Sequence, residues 1–389
     1  MRKFPIENPA PDFDYLLEVM GGKKEPGRVL FCEMLIDEEI KKFIIENHFE
    51  EENYPPVVTF GPKSGDDPEN SDSIENKEAA EKYYRQLINF YYRMGYSFLA
   101  DYEFLVNFQS FNTVSRIGKD PDHVQFARET RHWAQEGRGL IQTWEDFEKF
   151  PWKESEELVE RYGDHIDFLT RNLPDGMKLA VVGSVLEQVM EWIMGYEGVM
   201  YNVYDDPGLV GAVFDRVGKL VYDLYVIAAP MEGVGVIWHG DDLGYKTGTI
   251  LSPAHLRKWV FPWFRKYARV AHDNNKPVWY HACGNKDEVM EDFIEDIQFD
   301  AIHSFEDPSY PVTEYKKRYG DRIGLMGGVD IDRMTRLNED ELRKYVRGIL
   351  DVCVPGGRYL LGSGNSVCNY IPVNNYLVMM DEGFNYFRS

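Results

Sequence analysis

Residues 234–241, VGVIWHGD, are a short apolar run that ends in polar side chains, and residues 277–283, PVWYHAC, repeat the pattern after a helical stretch. Runs of this length, rich in β-branched and aromatic residues, are typical of strands buried on both faces. Strands that alternate with helices pair in parallel, with the helices covering the sheet. The two stretches therefore predict an α/β fold with a parallel sheet.

Further runs of the same kind occur along the chain, separated by longer helical patterns. They are Ser97–Asp101, Gly139–Trp144, Lys178–Gly183, Ala301–Phe305, Arg322–Gly328 and Arg358–Gly364. Asp206 and Pro207 supply an N-cap and a first-turn proline for a helix that we expect to run to about Ala229. Eight strand–helix units favour a closed (β/α)8 TIM barrel over an open sheet, and no GxGxxG follows the first strand.

The first 94 residues do not follow this alternation. Val29–Leu35 is a further candidate strand, Asp37–Asn47 is predicted to be a short helix, and residues 64–78 are polar and acidic, as expected of a solvated loop. The sequence contains no internal repeat. The expected organisation is an N-terminal extension, residues 1–94, packed on a barrel domain, residues 95–389.

The composition argues against several classes of protein. Of 389 residues, 43% are hydrophobic, enough for a large core, and the net charge of −23 opposes binding to nucleic acid or to an anionic membrane surface. The first twenty residues lack the apolar core of a signal peptide, and no apolar run approaches the roughly 20 residues of a membrane span. Four scattered cysteines without a CxxC pair favour reduced thiols, so we expect a cytoplasmic protein.

Polar residues at the carboxyl ends of barrel strands are expected to build the active site, because the loops there meet at one mouth. His239 and Asp241 lie two residues apart on one strand and therefore share a face, whereas Asp242 is expected to point away and cap the next loop. Asp241 is interpreted as functional, with a purely capping carboxylate as the alternative.

His281 and Cys283 share a face at the end of the next strand. Imidazole and thiolate together suit Zn²⁺, which accepts nitrogen and sulfur ligands. A core cysteine beside a hydrogen-bonded histidine would give the same pattern, so the residues alone leave both interpretations open.

Other polar residues follow the remaining strands. Glu306 follows the run Ala301–Phe305, and Asn365 follows the glycines that end the run Arg358–Gly364. Glu187 and Glu191 lie four residues apart on a short helix after the third run, so they share one face, which is directed either to the mouth or to solvent.

The motifs at these strand ends occur in an order that resembles a known superfamily. They are GDDLG (240–244), LSP (251–253), HACGN (281–285), HSFED (303–307), GGVD (327–330) and GSGNSVCNYIP (362–372). Together they resemble the uroporphyrinogen decarboxylase superfamily and, more narrowly, its branch of corrinoid-dependent methyltransferases of anaerobes. The resemblance covers roughly Gly95 to the C-terminus and implies a (β/α)8 barrel.

The resemblance also implies a zinc site made from an HxC pair and a later cysteine. His281 and Cys283 match the pair. The later cysteine aligns with Asn365, which leaves Cys368, three residues on, as the candidate third ligand. A carboxylate (Asp241, Glu191 or Glu306) in its place, or no metal at all, are the alternatives.

Substrate recognition is expected to differ from that of the decarboxylases. Asp101 stands where they have a pyrrole-binding aspartate, but Phe31–Met34 lacks the arginine-rich segment with which they bind tetrapyrrole carboxylates. The expected catalytic residues are Asp241, His281, Glu306 and Glu191. The expected substrate-binding residues are Asp101, His239 and Asn365, and the expected metal ligands are His281, Cys283 and Cys368.

The function implied by this resemblance is methyl transfer. We expect a methyltransferase that moves a methyl group from a small O- or N-methylated molecule, as an O-demethylase does, to a corrinoid (cobalamin-type) cofactor carried by a partner protein, or that runs in the reverse direction. The alternatives are a lyase of the uroporphyrinogen decarboxylase type and a barrel that binds a ligand without turnover.

Overall fold

A computed structural model describes residues 4–49, 55, 74–102, 104, 105, 108, 115–121, 124–134 and 137–388. Its strands are β1 (Phe98–Asp101), β2 (Ser115–Gly118), β3 (Arg131–Ala134), β4 (Lys178–Gly183), β5 (Val234–Gly240), β6 (Gly244–Tyr245), β7 (Gly248–Thr249), β8 (Val278–His281), β9 (Ala301–His303), β10 (Gly324–Met326) and β11 (Tyr359–Leu360). Within the described residues, one curled sheet holds seven of them in the order β1, β4, β5, β8, β9, β10, β11, with every neighbouring pair parallel. The remaining strands form two antiparallel pairs, β2 with β3 and β6 with β7.

Helices precede, separate and follow the strands of the large sheet. They are α1 (Phe13–Met20), α2 (Glu38–His48), α3 (Ile74–Met94), α4 (Trp144–Lys149), α5 (Trp152–Asn172), α6 (Tyr196–Asp205), α7 (Pro207–Ala228), α8 (Pro253–His255), α9 (Phe261–Asp273), α10 (Val312–Tyr319), α11 (Ile331–Arg336), α12 (Glu339–Cys353) and α13 (Val373–Asn385). Shorter π-helical or 3₁₀ segments span Gln188–Ile193, Leu256–Val260, Asp287–Val289, Asp292–Ile297 and Tyr386–Arg388. The arrangement is a TIM-barrel-like α/β fold, which confirms the predicted fold class.

Helix α7 forms where its sequence signals predict it. The Asp206 side chain accepts a hydrogen bond from the backbone N–H of Leu209, and Pro207 occupies the first turn. The helix ends at Ala228, one residue from the expected end. Throughout the described part of the chain, no helix combines the length and the apolar character that crossing a membrane requires.

One of the predicted strands is wrong. Residues 139–143 are irregular, and Trp144 begins α4, which Thr143 opens with a capping box to Asp146. The run is apolar because Ile141 is fully buried, and its N–H donates to the carbonyl of Ile193. A short buried loop and a short buried strand give the same apolar run in a sequence.

The sheet continues beyond β11 into the N-terminal part of the chain. Phe31 forms a parallel bridge with Leu361, and Ile36 forms one with Val367. The predicted Val29–Leu35 strand thus lies beside β11 as two isolated bridges. The predicted helix at 37–47 is α2. The loop predicted for residues 64–78 lies outside the described residues up to 73, and residues 74–78 begin α3 instead.

The interior of the sheet is packed with large aromatic side chains. Phe98, Trp238 and Trp279 have ring centroids 5.2–5.8 Å apart, and Phe13 of α1 packs against Phe98 and Trp279. Removing such a ring typically costs about 3–5 kcal/mol. Because successive strand residues alternate in direction, these rings identify which residues further along β5 and β8 face the barrel interior.

Candidate functional site

Three possible metal ligands meet beyond the carboxyl ends of β5 and β8. The ligand atoms of Asp242, His281 and Cys283 all lie within 4.8 Å of one another. His281 Nε2 is 3.6 Å from Cys283 Sγ and 4.0 Å from Asp242 Oδ1. His281 and Cys283 lie two and four residues after Trp279, and Asp242 lies four residues after Trp238. By alternation, all three are on the interior face that the two tryptophans mark. We call Asp242, His281 and Cys283 the Asp–His–Cys cluster; its nitrogen, oxygen and sulfur donors are the set that Zn²⁺ binds.

The cluster is buried on one side and open on the other. The His281 side chain is 11% exposed, whereas the Asp242 side chain is 45% exposed. Asn365 Nδ2 donates a hydrogen bond to Cys283 Sγ at 3.1 Å, and Ser304 Oγ lies 3.9 Å from the same sulfur. A cation held by the three ligands would therefore keep a side open towards solvent, as a catalytic site requires.

Burial controls the protonation of Cys283. It raises the pKa of the thiol well above the usual range, and the negative charge of Asp242 raises it further, against the opposing hydrogen bonds from Ser304 and Asn365. Burial likewise raises the pKa of Asp242. Cys283 is therefore a thiol at neutral pH, and a bound metal ion would have to displace its proton.

A second histidine lies behind the cluster. His303, at the end of β9, has its Nδ1 2.7 Å from Nδ1 of His281 and its Nε2 3.3 Å from the carbonyl oxygen of Ser363. Burial lowers the pKa of His303 to about 3 and that of His281 well below its usual range. Both rings are therefore neutral at pH 7.

A buried carboxyl group lies behind this histidine. The backbone N–H of Ser363 donates to Glu33 Oε1 at 2.7 Å, and its hydroxyl donates to Oε2 at 2.5 Å. Glu33 is 1% exposed, and burial raises its pKa to about 8. The N-terminal segment thus contributes to the support of the site.

Acidic side chains at the π-helical turn after β4 interact electrostatically with Asp242 of the cluster. Burial raises the pKa of Glu187 well above its usual range, and Glu191, Asp242 and Asp241 raise it further. Tyr196 donates a hydrogen bond to Glu191 at 2.5 Å. Glu187 therefore holds its proton to a higher pH than an ordinary carboxyl group does.

His239 and Asp241 lie on the other face of β5, against the helices. Asp241 accepts hydrogen bonds from the hydroxyl of Ser184 and from the N–H groups of Val185 and Glu187, at 2.6–3.0 Å. His239 Nε2 is 2.8 Å from Asp241, and both residues are fully buried. They share a face as predicted, but that face is not the mouth, and the expectation that Asp242 points away from the site is wrong.

Three other predicted site residues are not among the ligands of the cluster. Asp101 is buried on the helix side of β1, where it contacts Tyr162 and, at 3.0 Å, His165. Glu306 is half-buried beyond β9 and bridges to Tyr310. Cys368 has its sulfur 3.6 Å from the carbonyl of Ser366.

The position of Cys368 follows from the pairing of its neighbours. Val367 pairs with Ile36, and the N–H of Asn369 donates to Asp37 at 2.8 Å. These contacts hold the segment at the edge of the sheet. Within the described residues, Asp242 rather than Cys368 joins His281 and Cys283, and Asn365 contacts the sulfur.

A parallel α/β barrel with potential metal ligands grouped at the carboxyl ends of its strands is the class of protein that fold and site define. The sequence profile described as Uroporphyrinogen decarboxylase (URO-D) matches residues 138–385. The chain belongs to this family, which confirms the resemblance seen in its motifs and places it in a family of enzymes.

One solved structure supports this fold. A methyltransferase from Methanosarcina mazei is similar over 97% of this chain and 100% of its own, with a TM-score of 0.62 and 12% identity. A candidate vitamin-B12 independent methionine synthase from Listeria monocytogenes aligns over 94% and 96%, with a TM-score of 0.45 and 11% identity. At 12% identity the similarity to the Methanosarcina mazei protein establishes the fold alone. Among curated protein sequences, none matches this chain.

Proposed function

We propose that this protein is a zinc-dependent methyltransferase that moves a methyl group from a small O- or N-methylated molecule to a corrinoid carried by a partner protein. The observation that carries the proposal is the Asp–His–Cys cluster, with its ligand atoms within 4.8 Å of one another beyond the strand ends. Family membership and the fold shared with a methyltransferase from Methanosarcina mazei support it.

In this proposal Asp242, His281 and Cys283 hold the zinc ion. A zinc ion there supplies Lewis acidity towards the oxygen or nitrogen that loses its methyl group. Asn365 and Ser304 stabilise the Cys283 thiolate by donating to its sulfur. The half-exposed Asp242 marks the side from which the substrate enters.

The chain also offers a proton donor for the departing atom. Reduced corrinoid is a strong nucleophile, so the difficult part of the reaction is the basicity of the leaving atom. Burial and the neighbouring carboxylates raise the pKa of Glu187 well above its usual range, and this group is the proton donor that we propose. Protonation by a positioned acid typically contributes about 10²–10⁴-fold to a rate.

Decarboxylation of uroporphyrinogen is the less favoured function. Glu191 and Asp242 are acidic groups at the site, and a substrate with many carboxylates would be repelled by their negative charge. Binding such a substrate requires paired guanidinium groups, since unpaired buried charge costs several kcal/mol. The purified protein should therefore not convert uroporphyrinogen to coproporphyrinogen at a useful rate.

The decisive assay mixes the protein with a reduced corrinoid protein and a panel of methoxyaromatics and methylamines, and follows the change in corrinoid absorbance on methylation. At least one methyl donor should change the spectrum, and His281→Ala should abolish the change while the protein stays folded. His272→Ala, at a surface histidine paired with Asp300, is the matched control. If no donor changes the spectrum while a carboxylate substrate releases CO₂, the decarboxylase alternative is correct.

A further inference from the structure

Four residues, Glu33, Ser363, His303 and His281, form a continuous buried chain of hydrogen bonds that ends at the Asp–His–Cys cluster. We infer that His303 is a positioning residue, which fixes His281 in the tautomer with a hydrogen on Nδ1 and a free lone pair on Nε2. That lone pair is directed towards Cys283 and Asp242. The inference rests on the proposed function for its consequence, metal binding, but the tautomer itself is a property of the protein without metal.

The tautomer follows from counting hydrogens along the chain. The carbonyl oxygen of Ser363 has no hydrogen, so the contact at 3.3 Å requires His303 to carry one on Nε2. A neutral imidazole has one N–H, so Nδ1 of His303 is an acceptor. The two Nδ1 atoms are 2.7 Å apart and must share one hydrogen, which therefore belongs to His281. His281 Nε2 is left without a hydrogen, 3.6 Å from Cys283 Sγ.

The surrounding backbone leaves room for this contact and would not admit a larger residue. Gly327 has φ +81°, and a Cβ there would lie 2.8 Å from Nε2 of His303 and 2.3 Å from the carbonyl oxygen of Ser363. Any side chain at 327 would therefore separate the two groups. The ring of His303 also packs edge-on against Trp238, at 5.8 Å between centroids.

Glu33, at the far end of this chain of hydrogen bonds, keeps the Ser363 carbonyl oxygen in place. Its two carboxyl oxygens accept hydrogen bonds from the N–H and the hydroxyl of Ser363. These bonds fix the residue whose carbonyl oxygen faces His303. His281, His303, Ser363 and Glu33 are all at most 9% exposed, so water does not compete for these contacts. A metal-ligating histidine is commonly oriented by such a partner on its other ring nitrogen, and losing the partner typically costs 10–100-fold in metal affinity.

The tautomer can be measured directly in the wild-type protein. Long-range ¹⁵N–¹H correlation spectra of metal-free protein labelled with ¹⁵N-histidine distinguish nitrogens that carry a hydrogen from those that do not. At pH 7.5, His281 should carry its hydrogen on Nδ1 and His303 on Nε2. A hydrogen on His281 Nε2, or on both nitrogens of His303, would overturn the inference.

Variants test whether His303 is the cause. His303→Phe keeps a ring but removes the acceptor, so His281 should populate both tautomers and zinc affinity should fall by about 10–100-fold. His303→Asn places an oxygen near the position of Nδ1, so it should restore the tautomer and most of the affinity. His272→Phe is the matched control and should change neither.

The outcomes separate this inference from the proposed function. Zinc affinity in His303→Phe equal to that of wild type would refute the positioning role. If wild-type protein shows the stated tautomer but binds no zinc, the proposed function fails. The inference is then decided by whether His303→Phe loses that tautomer and His303→Asn retains it. Should His303→Phe fail to fold, the wild-type spectra and His303→Asn still decide it.

Discussion

We expect Glu33 to make the free energy of unfolding depend strongly on pH. Burial raises its pKa from 4.5 to about 8, and the group is fully enclosed, so solvent does not screen the effect. Because the folded pKa is above the unfolded value, the contribution of this group is fully present below pH 4.5 and is lost as pH rises through 8. At about 1.4 kcal/mol for each pH unit, the loss between pH 5 and pH 8 is about 4 kcal/mol.

Glu33→Gln removes this dependence without removing the contacts. The amide oxygen accepts from the N–H of Ser363, and the amide nitrogen donates to the Ser363 hydroxyl oxygen, so that both contacts are kept and only the second changes direction. Urea unfolding at pH 5, 6, 7 and 8 should show the free energy of unfolding of the variant gaining about 4 kcal/mol on wild type over this range. Glu160→Gln, at an exposed position of α5, is the matched control. Parallel profiles for wild type and Glu33→Gln would refute the reasoning.

Three further predictions concern the site. Asp241→Ala leaves two backbone N–H groups, a hydroxyl and His239 without their acceptor, so it should lower the free energy of unfolding by roughly 3–5 kcal/mol. A loss below about 1 kcal/mol in urea unfolding would contradict this. Zinc affinity should rise about tenfold per pH unit between pH 6 and 8, because binding displaces the proton of Cys283, and a competition titration that finds a flat profile would disprove it. Glu187→Gln should slow methyl transfer by about 10²–10⁴-fold at unchanged zinc content, and full activity would exclude this acid as the proton donor.

Most of the fold could be predicted from the sequence because parallel strands are buried on both faces and therefore appear as apolar runs between helices. Seven of the eight runs are strands of the large sheet. The run at 139–144 is apolar for another reason, the burial of Ile141 in a loop. The segment at 30–36 is joined to the sheet by contacts with residues more than 300 positions away, and no local pattern reports such pairing.

The candidate site could be predicted only in part. Alternation along a strand placed His281 with Cys283 and His239 with Asp241, and both pairs do share a face. Alternation does not say which face is the barrel interior when both faces are buried. The sequence therefore assigns Asp241 to the site, whereas the structure places Asp242 there. The structure identifies the interior face by the contact of Trp238 with Trp279.

The supporting residues of the site were not predictable from local spacing. His303 approaches His281 only because β8 and β9 are adjacent, and Glu33 reaches Ser363 across most of the chain length. The chemistry of each residue is readable in the sequence, but its partner is decided by the way the sheet curls. Cys368 shows the converse, because pairing at the sheet edge holds it apart from a cluster that its residue type fits.

Zinc-edge X-ray absorption of the purified protein tests the central claim most directly. With Asp242, His281 and Cys283 as ligands, the spectrum should show one zinc–sulfur distance near 2.3 Å together with nitrogen and oxygen ligands at about 2.0–2.2 Å. Cys368→Ser should leave zinc content and spectrum unchanged, whereas Cys283→Ser should remove the sulfur contribution. Two sulfur ligands, a sulfur ligand that disappears with Cys368, or no stoichiometric zinc in protein supplied with the metal would contradict the account.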